Sequence, residues 1–312
     1  MKIAALMDSF EQLHVNIDTT LTLLRSAFSL GWTCHYFTPQ EIICRGEDVY
    51  ANVHLLTSFE EVTPKTRMLG QINLAEFDII LMRQDPPVNA SYLYASYALE
   101  LAEKKGVLVA NKPQSVRDFN EKMAILHFPS CIPETLVSAD VEVLREFWKT
   151  HREVIYKSLD SLGGRAVFYV GEDSRNLSVI LETLTQYGEV PIMAQRYLPE
   201  IKTQGDKRIL LFGGEPVSYA LLRCPQPGEL RGNIVAGAEA SVVPLTERDR
   251  FLCHEIGPVL REKGLSFVGL DVIGEFVTEI NVTSPSCIVE IQAETGIDIA
   301  QQYLLYLAAG MR

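Results

Sequence analysis

The first 120 residues alternate between short apolar runs and amphipathic segments, and this alternation limits the possible folds more than any other feature of the chain. Four apolar runs predict strands, at residues 2–7, 33–37, 77–82 and 107–109. Two amphipathic segments between them predict helices, at residues 19–30 and 90–104. Because strands that alternate with helices are typical of a parallel sheet covered on both faces, we expect an α/β fold that begins with such a sheet.

Polar residues follow two of these predicted strands directly. Asp8 comes after the first strand, and the segment 83–87, with the sequence Arg-Gln-Asp-Pro-Pro, comes after the third. In parallel sheets the functional loops lie at the carboxyl ends of the strands. We therefore expect Asp8 and the segment 83–87 to lie together at the functional edge of the sheet.

The pattern changes near residue 120, where strands begin to follow one another across short turns. The predicted elements are a helix at 117–127, strands at 153–158 and 166–170, a helix at 178–187, a strand at 192–197, a hairpin of 208–212 with 217–222, and a helix at 247–263. The polar stretch 225–240 contains prolines and glycines without periodicity. Since a long loop inside a compact domain is often functional, this stretch is expected to act as a lid.

A second hairpin, at about residues 267–285, carries three oxygen donors. Side chains two apart on a strand point to the same side, so Glu279 and Asn281 face one way, and Asp271 on the preceding strand can join them. Carboxylate and amide oxygens suit Mg²⁺. The alternative is a set of polar residues on a solvated sheet face. A two-residue turn at Gly274-Glu275 would pair Asp271 with Thr278, so a shared metal predicts a three-residue turn or a bulge.

Candidate phosphate ligands surround the turn between the strands at 153–158 and 166–170. Gly163 and Gly164 can bring backbone N–H groups close to a phosphate, although the turn joins two strands and is therefore not a Walker-type loop. Lys157 ends the preceding apolar strand, and Lys122 is expected on a helix. The alternatives are a plain flexible turn and two solvated lysines.

Two arginines lie at the ends of apolar strands, where an unpaired charge would be costly. Arg208 and Arg223 either form salt bridges with acidic residues or face the metal hairpin and neutralise a phosphoryl group during its transfer. Arg231, in the polar stretch, reaches a substrate only if that stretch closes.

Composition excludes several classes of function. The 312 residues include 47% hydrophobic residues and carry a net charge of −12, which disfavours a nucleic-acid partner. No apolar run approaches the ~18 residues that span a bilayer, and residues 303–311 predict a docked helix instead. The start of the chain does not have a signal-peptide pattern, so we expect a cytoplasmic protein whose six cysteines are reduced thiols in or near the core.

Taken together, these segments resemble bacterial glutathione synthetase, a member of the ATP-grasp ligases. The likeness covers nearly the whole chain and is most specific at residues 82–87, 111–115, 120–122, 205–208, 231–233, 267–271 and 281–285. It implies an N-terminal substrate domain at 1–120, an ATP-grasp lid subdomain at 121–197 and a C-terminal catalytic domain at 198–312. It also implies a homo-oligomer, either a tetramer or a dimer.

The resemblance also assigns roles to individual residues. ATP, a co-substrate, would have its phosphates held by Lys122, Lys157, Gly163 and Gly164, its adenine by Gln195, Tyr197 and Leu198, and its ribose by Asp206. Arg208, Arg223 and Arg231 would serve catalysis. Asp271, Glu279 and Asn281 would bind Mg²⁺, or Mn²⁺ as the alternative.

The activity that the resemblance implies is ATP-dependent ligation of the γ-glutamylcysteine carboxylate to glycine through an acyl phosphate. Six positions depart from the family pattern: Ile17, Gln84, Ser158, Ser161, Arg165 and Glu239. Those at 17, 84 and 239 each remove a positive charge. Two alternatives therefore stay open, a paralogous ligase for another carboxylate and amine, and a non-catalytic nucleotide-binding regulator.

Overall fold

The computed structural model describes residues 1–60, 63–161, 164–173, 175–226, 228–229, 232 and 237–311. Within them the strands form three sheets that follow one another along the chain. One apolar core extends from the first sheet to the third, for example from Leu99 to Leu270. None of the helices in these ranges is long and apolar enough to cross a membrane.

The first sheet has seven strands, and the expected parallel arrangement forms its centre. Its elements are β1 (Lys2–Leu6), α1 (Thr19–Ser29), β2 (Thr33–Phe37), β3 (Ile42–Arg45), β4 (Asp48–Ser58), β5 (Lys65–Asn73), β6 (Ile79–Met82), α2 (Ala90–Lys104), β7 (Leu108–Ala110) and α3 (Pro113–Asp118). β1 pairs in parallel with β2 and β6, and β6 with β7. β3, β4 and β5 add an antiparallel extension that the sequence analysis did not predict.

A smaller antiparallel sheet follows, in the order β10-β9-β11-β8. Its elements are β8 (Thr135–Ser138), α4 (Val141–His151), β9 (Val154–Ser158), β10 (Val167–Val170), α5 (Leu177–Leu184) and β11 (Ile192–Arg196). The two helices cover one face of this sheet, where Leu144 and Leu181 pack with Tyr156 in a separate small core. β9 and β10 form the expected hairpin.

The third sheet is also antiparallel, in the order β14-β13-β12-β15-β16. Its elements are α6 (Ile201–Gln204), β12 (Asp206–Phe212), β13 (Glu215–Cys224), β14 (Glu239–Pro244), α7 (Glu247–Glu262), β15 (Phe267–Ile273), β16 (Phe276–Asn281), α8 (Ile288–Thr295) and α9 (Ile299–Gly310). The turn between β12 and β13 packs directly on α7. A Cβ added to Gly257 would lie 2.1 Å from the carbonyl oxygen of Gly214, so this contact requires glycine.

The prediction of one helix over residues 117–127 was wrong. α3 ends at Asp118, and a separate 3₁₀ turn spans Met123–His127. Between them the Asn120 side-chain oxygen accepts hydrogen bonds from the backbone N–H groups of Lys122 and Met123. Such side-chain bonds compete with helix continuation. Lys122 therefore precedes the short turn and does not lie within a helix.

The hairpin of β15 and β16 contains the bulge that a shared metal site requires. Its turn has two residues, and Ile273 pairs with Phe276. The register then shifts between Asp271 and Val272, with Thr278 as the additional residue, so that Asp271 lies opposite Glu279. The predicted bulge is confirmed, and it returns these two carboxylates to one face.

Asn111 joins the first sheet to the third. Its Nδ2 donates to the carbonyl oxygens of Phe267 (2.7 Å) and Val282 (2.8 Å), and its Oδ1 accepts from the backbone N–H of Phe267 (2.8 Å). Asn111 is buried and follows the last strand of the first sheet directly. One side chain thus fixes the start of β15 and the end of β16 relative to the parallel strands.

Candidate nucleotide and metal site

A cavity of about 450 Å³ lies where residues from all three sheets meet. The predicted residues in the described part of the chain all line it: Lys122, Lys157, Gly164, Gln195, Tyr197, Leu198, Asp206, Arg208, Arg223, Asp271, Glu279 and Asn281. Two further predicted residues, Gly163 and Arg231, lie outside the described residues. The cavity therefore brings together groups that are more than 100 residues apart in the chain.

Arg208 and Arg223 form a buried ion-pair network with two carboxylates. Arg208 lies opposite Asp271 in the register of β12 and β15, and its Nε and Nη2 donate to Asp271 Oδ1 (2.5 Å) and Oδ2 (3.0 Å). Arg223 Nη2 lies 3.0 Å from Asp271 Oδ1 and also pairs with Asp206. The salt bridges that the sequence left as an alternative are thus present, and they join both arginines to the metal hairpin.

The charge state of Asp271 follows from these contacts. Burial by itself would raise the pKa of its carboxyl, but the two guanidinium groups outweigh burial and lower the pKa to about 2. Asp271 is consequently ionised at any ordinary pH. An ionised carboxylate is the form that binds a cation.

Lys122 and Lys157 place two ammonium groups in the same cavity. Lys122 Nζ lies 3.0 Å from Glu279 Oε1 and donates to the Ser161 carbonyl oxygen (2.6 Å). Lys157 Nζ donates to the Thr278 carbonyl oxygen (3.0 Å). Burial lowers the pKa of Lys157 to about 8. Both lysines are buried, so the solvated-lysine alternative does not apply.

The donors on the hairpin fit a hard divalent cation. They comprise the facing carboxylates Asp271 and Glu279 and the amide of Asn281, whose Nδ2 donates to the Gly269 carbonyl oxygen (3.2 Å) and lies 3.4 Å from Asp271 Oδ2. Oxygen ligands of this kind suit Mg²⁺ or Mn²⁺. Elsewhere in the described ranges no cluster of three His, Cys, Asp or Glu residues offers another site.

The other end of the cavity is formed by the first sheet, as predicted. Arg83 is buried, with Nε donating to Thr20 Oγ1 (3.0 Å) and Nη2 to the Pro285 carbonyl oxygen (2.8 Å). The Asp85 backbone N–H donates to Asp8 Oδ2 (2.8 Å). These contacts confirm that Asp8 and the segment 83–87 lie together at the carboxyl ends of the parallel strands.

Family models agree with this arrangement. The model described as prokaryotic glutathione synthetase, N-terminal domain, matches residues 1–117, and the model described as prokaryotic glutathione synthetase, ATP-grasp domain, matches residues 121–296. The chain belongs to the prokaryotic glutathione synthetase family. A glutathione synthetase of Pseudomonas aeruginosa is 45% identical over 99% of this chain and 98% of its own length. A glutathione synthetase of Escherichia coli K12 is 44% identical over 96% and 95%.

Solved structures support the fold at much lower sequence identity. The crystal structure of the D-cycloserine synthetase DcsG has a TM-score of 0.71 and 16% identity, covering 99% of this chain and 100% of that chain. The ATP-grasp ligase PsnB, in complex with a minimal precursor, has a TM-score of 0.64 and 16% identity, covering 99% and 98%. These likenesses show the ATP-grasp fold alone, in agreement with the predicted α/β class.

Within this glutathione synthetase family site, Glu121 is a residue that sequence reasoning missed. Its Oε1 accepts from the backbone N–H groups of Val282 (2.8 Å) and Thr283 (3.0 Å) and from Thr283 Oγ1 (2.9 Å). It thereby fixes the chain directly after Asn281 while its neighbour Lys122 contacts Glu279. The one signal in the sequence was the position of Glu121 within the segment 120–122. Its contacts could not be predicted, because its partners lie about 160 residues away.

The positions that depart from the glutathione synthetase pattern are spread around the cavity. Ile17, Ser161 and Arg165 line it. Gln84 is buried and its Oε1 has no hydrogen-bond partner among the described residues. Ser158 donates to Asp160, and Glu239 is exposed at the start of β14, 3.4 Å from Gln226 Nε2.

The cysteines are free, as expected, but Cys44 is exposed and not in the core.

Proposed function

We propose that this protein joins the carboxylate of γ-glutamylcysteine to glycine and consumes ATP, giving glutathione, ADP and phosphate. The observation that carries the proposal is the convergence of two lysines, two arginines and the Asp271–Glu279–Asn281 hairpin in one cavity. Four cations in a buried place suit a triphosphate and an anionic dipeptide. The domain assignment 1–120, 121–197 and 198–312 is part of the proposal and is supported by one sheet in each range.

The nucleotide is proposed to bind between the second and third sheets. Gln195, Tyr197 and Leu198, at the end of β11, would meet the adenine, and Asp206 the ribose. Lys122, Lys157 and the Gly163-Gly164 turn would hold the phosphates. Burial lowers the pKa of Lys157 to about 8, so its ammonium group costs free energy in the folded protein and is better explained by ligand binding than by stability.

Activation of the dipeptide depends on charge. A carboxylate is a poor acylating agent because its leaving group would be oxide, whereas an acyl phosphate has phosphate as its leaving group. Arg208 and Arg223 are placed to stabilise the negative charge that develops as the γ-phosphoryl group moves to the carboxylate. Arg231 is proposed to assist when the stretch 225–240 closes, and closure would also exclude water from the acyl phosphate.

The hairpin is proposed to hold the divalent cation. Asp271, Glu279 and Asn281 supply its protein oxygen ligands, and Mg²⁺ is the expected metal, with Mn²⁺ as the alternative. When bound, such a cation neutralises phosphate charge. Arg208, Arg223 and Glu121 act on these ligands by orienting Asp271 and the end of β16.

The protein is also proposed to be cytoplasmic and to form a homo-oligomer, either a tetramer or a dimer. Light scattering during gel filtration measures the size of the oligomer.

One assay tests the proposed function. ADP release should require both γ-glutamylcysteine and glycine, and mass spectrometry should identify glutathione as the product. Release of ADP only with a different carboxylate and amine would replace the proposal with a paralogous ligase. Nucleotide binding without ADP release across a broad panel of substrates would instead identify a regulator. Glu279→Ala is the matched inactive variant.

A further inference from the structure

Glu290 is a carboxylate of the cavity wall for which the described residues offer no ion-pair partner. Asp271 pairs with Arg208, and Glu279 pairs with Lys122. Asp206 pairs with Arg223 through Oδ2, although its Oδ1 has no hydrogen-bond partner among the described residues, and Glu121 accepts three hydrogen bonds. Glu290 also lines the cavity, but its Oε2 is buried without a hydrogen-bond partner among the described residues. A buried carboxylate oxygen without a partner is costly, and it needs an explanation.

The backbone at the start of α8 directs this part of the chain toward the cavity. Cys287 has φ = 88°, in the left-handed region, and is followed directly by the first turn of the helix. Ser284, Ser286, Cys287 and Glu290 all line the cavity as a result. α8 packs against β13, the strand that carries Arg223. Glu290 therefore lies close to the place where the acyl phosphate is proposed to form.

Two guanidinium groups and one thiol act on Glu290. Burial is the main cause that raises the pKa of its carboxyl, and a hydrogen bond from its own backbone N–H together with Arg208 and Arg223 lowers it in part. The thiol of Cys287 is a titratable group beside it, and burial raises the pKa of that thiol. A carboxylate in such a place favours a partner that can neutralise it or give it a proton.

We propose that Glu290 receives the ammonium group of the acceptor amino acid and removes one of its protons, an inference that rests on the proposed function. The acceptor enters as a zwitterion and must become a neutral amine before it can attack. Glu290 lines the cavity, its Oε2 has no hydrogen-bond partner among the described residues, and Arg208 and Arg223 lie near enough to act on its charge. The ligand class for this subsite is a small α-amino acid with a primary amine.

The step balances as follows. Glu290 takes one proton from the ammonium group and becomes a carboxylic acid. The nitrogen lone pair then attacks the acyl carbon, the C–N bond forms, and the C–O bond to phosphate breaks with its electron pair on phosphate. The second nitrogen proton passes to the departing phosphate, which leaves as hydrogen phosphate. Glu290 finally returns its proton to solvent, so that one proton is released for each amide formed.

Hydroxylamine provides the decisive test, since it is uncharged at neutral pH and traps acyl phosphates as hydroxamates. In Glu290→Gln we expect kcat/KM for glycine to fall by about 10²-fold, in the range of a lost general base. The rate of γ-glutamylcysteine hydroxamate formation with hydroxylamine should stay within about twofold of the wild type. Glu294→Gln, one turn further along α8 and outside the cavity, is the control and should leave both reactions unchanged.

Each outcome decides the matter. Equal losses with glycine and hydroxylamine, or no loss with glycine, would overturn the role of Glu290 and leave the proposed function standing. Failure of the wild type to form glutathione from γ-glutamylcysteine, glycine and ATP would overturn the proposed function and this inference with it. The loss in Glu290→Gln should also shrink as pH rises, because more glycine is then a free amine. Should that variant not fold, Glu290→Asp keeps the charge and should retain glycine activity within about tenfold, with a larger loss counting against the role.

Discussion

At the scale of single residues, the ammonium group of Lys157 is charged and buried. Burial lowers its pKa from the ordinary value of 10.5 to about 8. Below pH 8 the group is charged in both the folded and the unfolded protein, and the buried charge destabilises the folded state. A shift of this size corresponds to about 3 kcal/mol. The cost is fully present below pH 8 and disappears as pH rises to 10.5, since the unfolded chain binds more protons in that window.

Lys157→Met should therefore be more stable than the wild type by about 3 kcal/mol at pH 7, and the difference should vanish near pH 10.5. Urea denaturation at a series of pH values measures it. The same variant should lose nucleotide affinity in calorimetry. Equal stability of the two proteins at pH 7 would show that the contacts of Lys157 already offset its burial.

The sequence revealed these residues unevenly. Lys157, Arg208 and Arg223 could be identified because a cation at the end of an apolar strand stands out against its neighbours. Glu290 had no such signal, since a glutamate in the first turn of a helix is ordinary. That the described residues offer its Oε2 no hydrogen-bond partner is visible only once β12, β13 and α8 are folded together.

At the scale of elements, the bulge in the β15–β16 hairpin decides which way the site residues point. Inserting one alanine directly after Thr278 would shift the chain beyond the bulge by one residue and turn Glu279 and Asn281 to the opposite face. We expect this insertion to abolish Mn²⁺ binding, measured by electron paramagnetic resonance, and to lower kcat by at least about 10³-fold. Thr278→Val keeps the register and should bind Mn²⁺ normally. Retained Mn²⁺ binding in the insertion variant would contradict the metal assignment.

Two helical glycines give a matched pair for packing. A glycine inside a helix is normally about 1 kcal/mol less favourable than alanine. At Gly257, however, a Cβ would lie 2.1 Å from the carbonyl oxygen of Gly214, whereas at Gly310 no atom of the described ranges lies within 4 Å. Gly257→Ala should lower the free energy of unfolding by about 2 kcal/mol or more, while Gly310→Ala should leave it unchanged or raise it. Thermal denaturation of both variants tests this, and a stabilised Gly257→Ala would disprove the close packing.

Element prediction succeeded where periodicity was strong and failed where local contacts decided the structure. β2 and α2 coincide with their predicted ranges. β5 was missed because six of its nine residues are exposed and none is buried, which removes the apolar alternation that identifies a strand. The helix expected at 117–127 was interrupted by the Asn120 side chain, a contact that no periodicity reports.

At the scale of the whole molecule, the site exists only where the three sheets meet. The sequence predicted the classes of chemistry but not this meeting, because its contacts are long-range. Asn111 is the clearest case, since its partners Phe267 and Val282 lie 156 and 171 residues away. No pattern within a short window could have paired them.

Asn111→Ala should leave three buried backbone groups without their partner, and each such loss costs about 1–3 kcal/mol. We expect the free energy of unfolding to fall by at least about 3 kcal/mol in urea denaturation. Asn73→Ala, which removes one bond to the Ala75 backbone N–H in an exposed place, should cost about 1 kcal/mol. Similar losses in the two variants would show that Asn111 does not hold the sheets together.

The position of Asn111 also limits how this protein can be recombined with its relatives. A chimera that takes its first 120 residues from one parent and the remainder from another keeps this contact only when the first parent supplies asparagine at position 111. The backbone of Phe267 and Val282 supplies the acceptors, so their side chains can differ between parents, whereas the amide of Asn111 cannot. Crossovers just before residue 111 should therefore yield functional hybrids more often when the incoming parent also carries asparagine there.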